Sequence, residues 1–553
     1  MSRLVEFEGV GAPPSVAEGA RGRGLAEASE RYAVVVLLML VAVGFTLRAA
    51  GLGRIGFAED EINKLDAVAA YARGDLARNS EHPMVMKALI SVSVGMVRAW
   101  NGVVGELAWV SDEAAVRLPN VLFGALTVLP LYLLTAAFFG RRTALVAAAL
   151  WAFGVNAVTY NRVAKEDTLL VFFMLFAFYF YVRAKATSGF DPARKRRHYV
   201  LSAVAWGLTF ASKYFPHYFG LNMLYHHFVS LREREPGEPR GSTPRLFYVV
   251  VAATFLMANP AVLLPQTWAY LSAYSSESLL THHGYLMGET LYDNVMSKTP
   301  FGGTPVYFYA LYLLFKTPPA LLAAFAAGLV LCARRRREPG PAFVLLMFVL
   351  WVVPFSLTGA KWLRYVLSLM PLVYMIAAVG VVWLARAAQS FVKRGRRAAL
   401  APAVGACVVA VFVCAPAWAA FASAPHYALY TNALSPRPAG YFFPHDELYD
   451  DGLREAILYA CARAPQGATL AHETPGVARY YLSKCGRDDL RSRAISEPDF
   501  DPTREPGPTY AILQRGRTYF ENRDEMARVR SGFILEHRIN VGGVTAAEIY
   551  VKK

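Results

Sequence analysis

Residues 57–87, FAEDEINKLDAVAAYARGDLARNSEHPMVMK, follow the first long hydrophobic run of the chain and hold a group of charged residues. Asp60 and Glu61 are adjacent carboxylates, and His82 and Lys87 follow them. Neighbours in a helix point about 100° apart, so only one of the two carboxylates can face a given site squarely. One interpretation is a solvated acidic turn that caps a helix. The other is a general base with an orienting partner.

The composition around this stretch indicates a polytopic membrane protein. The chain has 553 residues, of which 55% are hydrophobic, and apolar runs long enough to cross a bilayer recur from Tyr32 to Phe421. The net charge of +16 would suit a nucleic-acid partner, but the arginines cluster between the apolar runs. The positive-inside rule explains that placement, so we expect membrane lipids and no nucleic acid as partners.

The apolar runs predict an all-α membrane bundle of about eleven transmembrane helices over residues 33–421. Residues 1–32 form a polar segment that we expect to be a flexible cytoplasmic tail. The predicted spans are 33–50, 117–139, 143–160, 168–183, 199–213, 215–230, 246–264, 306–333, 341–358, 365–385 and 399–421.

The basic clusters at 141–142, 194–197, 334–337 and 393–397 fall in alternate loops. If those loops are cytoplasmic, then the loops 51–116, 161–167, 265–305 and 359–364 and the tail from 422 are extracytoplasmic. Residues 84–100 are apolar but only marginally long enough to span. Crossing there would move the amino-terminal arginines outside, so an interfacial helix is favoured, and 51–116 then forms one extracytoplasmic loop.

Residues 422–553 have a different composition and predict a small extracytoplasmic α/β domain. A strand at Thr469–His472 precedes a helix, a second strand and helix follow, and a hairpin closes around Gly542–Gly543. Cys461 and Cys485 lie in this part and form either a disulfide or two free thiols.

Further candidate residues lie in the predicted outer loops, and each has an ordinary interpretation beside a functional one. Arg117 and the Lys361–Arg364 pair suit lipid headgroups at the membrane surface, or a phosphate. Asp167 is placed to cap a helix. Lys213 lies between two spans with almost no polar loop, where ionisable residues tend to be paired and functional.

The order of these residues resembles the first luminal loop of protein O-mannosyltransferases, members of glycosyltransferase family 39. The resemblance lies in Asp60-Glu61-Ile62, in the Ala-x-x-Tyr-x-x-Gly pattern that ends at Gly74, in His82-Pro83 and in Lys87. Arg117 with GALTV at 124–128 resembles the next span of that family. KWLRYVLSLMP at 361–371 is similar to a stretch of related bacterial enzymes, which include the lipid A aminoarabinose transferases. The chain departs from the family at Met84, where a second proline is usual.

The resemblance implies the glycosyltransferase C fold, interfacial helices in the first outer loop, and a polyprenyl-phosphate sugar donor. It implies that Asp60 is the catalytic acid residue of the family, with Glu61 as its neighbour and Arg117 near the donor phosphate. Lys361, Arg364 and Lys213 would join Arg117 at the phosphate, and His82, Lys87 and Asp167 would support the site. No cofactor is certain; a divalent cation held by Asp60, Glu61 and Asp167 stays an open alternative.

The sequence therefore predicts an inverting transfer of a sugar, mannose or similar, to an acceptor hydroxyl on the outer face of a bacterial plasma membrane. The acceptor is a protein, lipid or glycan, and the sequence names neither it nor the sugar. The alternative is a lipid or sugar transporter or flippase, which would be built from two structurally repeated halves. The sequence shows no such repeat.

Overall fold

The structure is a computed structural model that describes residues 18–105, 108–214, 216–239, 243–276, 282–298, 301–395 and 397–552. Residues 1–17 of the expected tail at 1–32 lie outside the described residues. The first helix begins at Glu18, within the remainder of that segment. The helices of the amino-terminal part are α1 (Glu18–Ala49), α2 (Glu59–Tyr71), α3 (Met84–Val104), α4 (Asp112–Leu126), α5 (Val128–Phe139), α6 (Arg141–Phe153), α7 (Val155–Tyr160), α8 (Asp167–Ala186), α9 (Pro192–Ser212), α10 (Phe219–Phe228), α11 (Arg245–Ala258), α12 (Pro265–Ser275), α13 (Phe308–Lys316), α14 (Pro319–Arg334), α15 (Pro339–Leu357), α16 (Met370–Lys393) and α17 (Ala401–Ser423).

Within the described residues, six helical segments are long and apolar enough to cross a membrane, so the chain is a multi-pass membrane protein. They are Arg31–Ala49, Asp112–Phe139, Asp167–Ala186, Pro339–Leu357, Met370–Lys393 and Ala398–Ser423. Helices α11 and α14 are apolar but shorter. The predicted number of about eleven spans is not confirmed.

Two of the other predicted spans are interrupted. The run 143–160 breaks at Gly154, where a Cβ atom would lie 2.1 Å from the hydroxyl oxygen of Tyr374, so only glycine fits. The run 306–333 breaks at Thr317, because a residue before proline is pushed out of the helical region. Hydropathy alone joins such pieces into one span.

Helix α16 lies at the centre of the bundle and is buried along most of its length. It packs on α14 so closely that a Cβ atom at Gly380 would lie 2.0 Å from the carbonyl oxygen of Ala324. Arg48, near the end of α1, is also fully buried instead of reaching the surface. Its guanidinium donates to Asn161 Oδ1 at 3.0 Å and to the carbonyl of Trp151 at 3.0 Å, which joins α1 to α6 and to the loop after α7.

Helix α3 covers the segment for which an interfacial helix was favoured. It does not count among the candidate spans in the described part of the chain. One side, with Met86, Ile90 and Val94, is buried, whereas Met96 and Trp100 are exposed. This two-sided burial is typical of a helix that lies along a membrane surface.

The C-terminal part contains the predicted α/β arrangement. A small antiparallel pair of strands, β1 (Tyr285–Met287) and β2 (Thr290–Tyr292), precedes the C-terminal part in the chain. The helices of the C-terminal part are α18 (Pro444–Leu448), α19 (Leu453–Arg463), α20 (Pro475–Lys484) and α21 (Arg523–Gly532), and its strands are β3 (Thr469–His472), β4 (Arg491–Ala494), β5 (Thr509–Leu513), β6 (Ile534–Val541) and β7 (Val544–Lys552).

The sheet has the order β4-β3-β5-β7-β6, with β3 parallel to β4 and β5 and with β7 antiparallel to its neighbours. Strand β3 and the turn at Gly542–Gly543 lie where the sequence predicted them. Of the two alternatives for Cys461 and Cys485, the structure has the disulfide.

The C-terminal sheet and the segment 51–116, which the sequence predicts to be an extracytoplasmic loop, share one hydrophobic core. Phe57 and Ile62 of the loop pack in the same cluster as Ile457 and Val477 of the C-terminal part. Polar contacts reinforce this interface, since the hydroxyl of Tyr481 accepts a hydrogen bond from the Phe57 backbone N–H at 2.8 Å. The C-terminal part is thereby held directly beside Asp60 and Glu61.

Candidate active site

Helix α2 begins with the carboxylates Glu59, Asp60 and Glu61, which point in different directions. Glu61 is fully buried and accepts a hydrogen bond from the backbone N–H of Ala58 at 3.1 Å, so it caps its own helix. The Asp60 side chain points into a cavity and keeps 31% of its surface exposed. The capping interpretation therefore fits Glu61, whereas Asp60 lines the outer cavity with part of its side chain exposed.

Arg117 is held by Glu61 and by the chain before α2. Its Nε donates to Glu61 Oε1 at 2.8 Å and its Nη2 to Oε2 at 2.5 Å. The remaining N–H groups donate to the carbonyls of Leu52, Ile55 and Gly56. A guanidinium has five N–H donors, and all five are used here. These contacts differ from the expected binding of the donor phosphate by Arg117.

Asp60 is surrounded by donors on one of its oxygens. Oδ2 lies 2.6 Å from Lys165 Nζ and 4.0 Å from Arg364 Nη1, and it accepts a hydrogen bond from the Tyr449 hydroxyl. Burial raises the pKa of the Asp60 carboxyl, but the charges of Lys165, Arg364 and Lys64 outweigh burial and hold this pKa well below its usual value. Asp60 is therefore ionised at neutral pH.

Lys165 is almost fully buried, and burial lowers its pKa to about 8 despite the neighbouring Asp60 carboxylate. Beside it, Lys64 Nζ lies 3.1 Å from Glu166 Oε1, and both side chains are buried. A buried pair of this kind is costly to break, because each partner would keep an uncompensated charge. The pair fixes the loop that carries Lys165 against α2.

Lys87 contacts backbone carbonyls, and the role that one interpretation of the sequence gave to His82 and Lys87, a positive charge beside the carboxylates, stays a prediction. Burial lowers the pKa of His82 to about 3, so the imidazole is neutral near pH 7. Lys87 Nζ donates to the carbonyls of His82, at 2.8 Å, and of Asn79. Burial also lowers the pKa of Lys87 to about 7. Lys87 holds the turn before α3.

Arg364 lies over the rings of Trp362 and Tyr365, 5.1 and 5.5 Å from their centroids, with Asp60 on its open side. No side chain or carbonyl among the described residues accepts a hydrogen bond from it. Its donors are therefore available to a ligand, in contrast to those of Arg117.

Lys361 is fully buried and donates to the carbonyls of Thr304, at 2.7 Å, and Thr358. Burial lowers its pKa to about 8. It joins the segments 265–305 and 359–364 and does not line the cavity beside Asp60. Its expected phosphate-binding role stays a prediction. Lys213 pairs with Asp167 at 2.7 Å and lies over the Tyr365 ring. This pair adjoins Arg364 without contacting Asp60.

Two cavities meet beside these residues. The outer cavity, about 250 Å³, is lined by Asp60, Trp362 and Arg364 together with His282 and Tyr519. The inner cavity, about 80 Å³, is lined by Lys165, Asp167 and Asp446 among others. Arg364 and Tyr449 line both cavities. The outer cavity thus joins the segments 51–116, 265–305, 359–364 and 422–553, all of which were expected on one side of the membrane.

The carboxylates considered for a cation are each paired with a basic side chain. Asp60 pairs with Lys165, Glu61 with Arg117 and Asp167 with Lys213. Across the described ranges, no three or more His, Cys, Asp or Glu side chains are grouped as metal ligands.

Sequence reasoning missed Lys165, Tyr449 and Arg517 as site residues. Lys165 stands in the charged loop 161–167, and its position between two spans on the same side as Asp60 was an available signal. Tyr449 lies 389 positions from Asp60 in the chain, so no local pattern could connect the two. Arg517, likewise distant, pairs with Glu59 at 2.7 Å.

Comparison with known proteins gives a family match for part of the chain. Residues 99–263 match the family model described as dolichyl-phosphate-mannose-protein mannosyltransferase. This segment contains Arg117, Lys165, Asp167 and Lys213 and begins after Asp60. No curated protein has a significant sequence match to the chain.

Three solved structures are similar to this chain at low identity. ArnT from Cupriavidus metallidurans, bound to undecaprenyl phosphate, is 12% identical over 93% of this chain and 97% of its own, with a TM-score of 0.47. The oligosaccharyltransferase AglB from Archaeoglobus fulgidus is 11% identical over 87% of this chain and 69% of its own, with a TM-score of 0.47. The Pmt1–Pmt2 complex of S. cerevisiae is 19% identical over 45% of this chain and 34% of its own, with a TM-score of 0.30.

The resemblance that the sequence suggested is thereby confirmed for the segment the family model matches: residues 99–263 are similar to the dolichyl-phosphate-mannose-protein mannosyltransferases.

Proposed function

We propose that the protein is a membrane glycosyltransferase that moves one sugar from a polyprenyl-phosphate donor to an acceptor hydroxyl. The observation that carries the proposal is an ionised carboxylate, Asp60, that faces a cavity with Lys165 and Arg364 beside it. The reaction needs this combination, because it must orient a hydroxyl and stabilise a departing phosphate at the same place.

Asp60 is the group we assign to the acceptor. The acceptor hydroxyl donates its hydrogen bond to the carboxylate, which aims the oxygen at the anomeric carbon. As the new C–O bond forms, the hydroxyl becomes acidic and its proton passes to Asp60. A carboxylate of low pKa is a weak base, so orientation is the larger part of its contribution and the proton moves late.

Arg364 and Lys165 are the groups we assign to the donor phosphate. The bond between the anomeric carbon and the phosphate oxygen breaks, its electron pair stays on the phosphate, and the polyprenyl phosphate leaves with that charge. No residue that the structure describes accepts a hydrogen bond from Arg364, which leaves its donors for these oxygens, whereas the donors of Arg117 are engaged by Glu61 and backbone carbonyls. In-line displacement on opposite faces of the sugar inverts its anomeric configuration.

This assignment revises the roles expected from the sequence. Glu61, Arg117 and Lys361 become positioning residues that hold α2 and the outer loops. Lys213 and Asp167 support the loop beside Arg364 through their ion pair. We assign no step to a metal ion.

We further propose that the site and the C-terminal domain face the extracytoplasmic side of a bacterial plasma membrane. The basic clusters in the opposite loops support this orientation through the positive-inside rule. Mannose or a similar sugar is the proposed cargo, and the acceptor hydroxyl belongs to a protein, a lipid or a glycan.

The test uses purified protein in lipid vesicles with polyprenyl-phosphate-linked radiolabelled sugars. Peptides, lipids and oligosaccharides are offered as acceptors, and released polyprenyl phosphate is measured as well. We expect Asp60→Asn to lower the transfer rate about 10²-fold or more. Asp66→Asn, an exposed carboxylate on the same helix, is the matched control and should match wild type.

Full transfer by Asp60→Asn would refute the role of Asp60. Sugar-lipid movement across the vesicle without cleavage of the donor would favour a flippase instead.

A further inference from the structure

We propose that the C-terminal domain contributes a residue to the active site, and that this residue, Tyr449, positions the Asp60 carboxylate. The inference rests on the proposed role of Asp60 in sugar transfer. It concerns a part of the chain outside the segment that matches the family model, which ends at residue 263.

The hydroxyl of Tyr449 donates to Asp60 Oδ2, the same oxygen that lies 2.6 Å from Lys165 Nζ. In the described part of the chain no donor binds the other oxygen, Oδ1. Two donors on Oδ2 therefore fix the rotation of the carboxylate and leave Oδ1 available for the acceptor hydroxyl. Tyr449 also lines both cavities, so it stands where they meet.

The backbone that presents Tyr449 is strained. Tyr449 and Asp450 both have left-handed conformations, with φ of 45° and 66°, and Gly452 follows with φ of 86°. Two consecutive non-glycine residues in this region are unusual, and such turns persist only where the surroundings hold them. This turn directly follows α18 and presents the Tyr449 hydroxyl to Asp60 of α2.

An ion-pair network of buried Asp450 and Arg517 with the partly exposed Glu59 holds this turn in place. Arg517 donates from Nε to Asp450 Oδ1 at 2.7 Å and from Nη2 to Oδ2. Its Nη1 lies 2.7 Å from Glu59 Oε2, and the Glu59 backbone N–H donates to Asp450 Oδ2 at 3.0 Å. Glu59 immediately precedes Asp60. The C-terminal domain thus binds the start of α2 through Asp450 and Arg517 and donates a hydrogen bond to the Asp60 carboxylate through Tyr449.

The consequence is that the docked domain sets both the orientation and the charge of Asp60. A hydrogen bond donated to an ionised carboxylate favours the charged form, so loss of the Tyr449 hydroxyl raises the pKa of Asp60. The acid side of the pH–rate profile then moves to higher pH. A residue with only a structural role would lower stability without moving this profile.

The experiment compares Tyr449→Phe with Tyr480→Phe in the full-length protein. Tyr480 is a matched control, because its hydroxyl also joins the C-terminal domain to an aspartate of the first outer loop, donating to Asp112 at 2.6 Å. Neither Tyr480 nor Asp112 lines the two cavities. Sugar transfer is measured from pH 2 to 9 in brief assays, so that the low pKa of Asp60 falls within the range, and thermal unfolding is measured on the same samples.

We expect Tyr449→Phe to lower kcat about 10- to 100-fold and to move the acid limb up by about one pH unit or more. Tyr480→Phe should keep the wild-type kcat and profile. Asp450→Asn places a residue that tolerates the left-handed backbone but removes the charge pair with Arg517, so it should lower kcat as Tyr449→Phe does.

Failure of the inference and failure of the proposed function give different results. If wild type transfers sugar and Tyr449→Phe behaves as Tyr480→Phe does, the inference is wrong and the proposed function stands. If wild type cleaves no polyprenyl-phosphate donor, both are wrong. If Tyr449→Phe merely unfolds at lower temperature with an unmoved pH profile, Tyr449 is structural and the inference is overturned.

Discussion

Replacement of Glu61 by glutamine separates the two adjacent carboxylates most clearly. Glu61 is fully buried, and its two oxygens accept four hydrogen bonds: two from Arg117 and one each from the backbone N–H groups of Ala58 and Ala164. A glutamine amide keeps only one of the two oxygens. Whichever oxygen is replaced, two donors face an NH₂ group, and the buried Arg117 charge loses its counterion.

We expect Glu61→Gln to cost about 3–5 kcal/mol of unfolding free energy, the usual cost of breaking a buried ion pair by removing one partner. Asp60→Asn should cost less, for two reasons. The Asp60 side chain keeps 31% exposure, and Lys165, whose pKa is already lowered to about 8, can lose its proton. The two variants should therefore differ in kind: Glu61→Gln loses stability, and Asp60→Asn loses transfer.

The assay is denaturant unfolding in detergent micelles, followed by tryptophan fluorescence, with Asp66→Asn as the exposed control. A Glu61→Gln protein that unfolds within about 0.5 kcal/mol of that control would refute the structural role of Glu61. So would a Glu61→Gln protein that folds normally but transfers no sugar.

Three further predictions concern the cations and the packing. Arg364→Ala should lower kcat about 10²-fold, with partial recovery in Arg364→Lys, as measured by sugar release at saturating donor; an unchanged rate would remove Arg364 from the phosphate site. The transfer rate should fall as pH rises through about 8, because Lys165 then loses its charge. Lys165→Arg should abolish this fall in the pH–rate profile, because arginine keeps its charge at that pH. If the arginine variant shows the same fall as wild type, the role of Lys165 is contradicted. Gly380→Ala should destabilise the bundle by about 1–3 kcal/mol in the same unfolding assay, because the added methyl group meets the Ala324 carbonyl at 2.0 Å; wild-type stability would show that α14 and α16 pack less closely.

Local patterns in the sequence predicted the C-terminal elements well. The strand Thr469–His472 and the turn at Gly542–Gly543 are marked by short apolar runs and paired glycines, and both are where the sequence indicated. The count of about eleven spans stays a prediction, because hydropathy does not register a break such as the one at Gly154. A Cβ atom at Gly154 would meet Tyr374, which lies in a distant helix, and no local pattern reports such a contact.

The sequence also selected Asp60 and Arg364, which the structure brings to the same cavity. It could not divide the roles of Asp60 and Glu61, since helical geometry says only that neighbours diverge and the packing decides which one is buried. Arg117 and Lys361 suited a phosphate by charge. Their donors are instead engaged by backbone carbonyls, and no sequence pattern reports such contacts.

The proposed reaction requires the donor phosphate to bind beside Asp60, at Arg364 and Lys165. An experimental structure of the protein with a polyprenyl phosphate bound tests this requirement. We expect phosphate oxygens within about 3 Å of the Arg364 guanidinium and close to Lys165, with Arg117 still paired to Glu61. A phosphate bound instead by Arg117 or Lys361, away from Asp60, would contradict it.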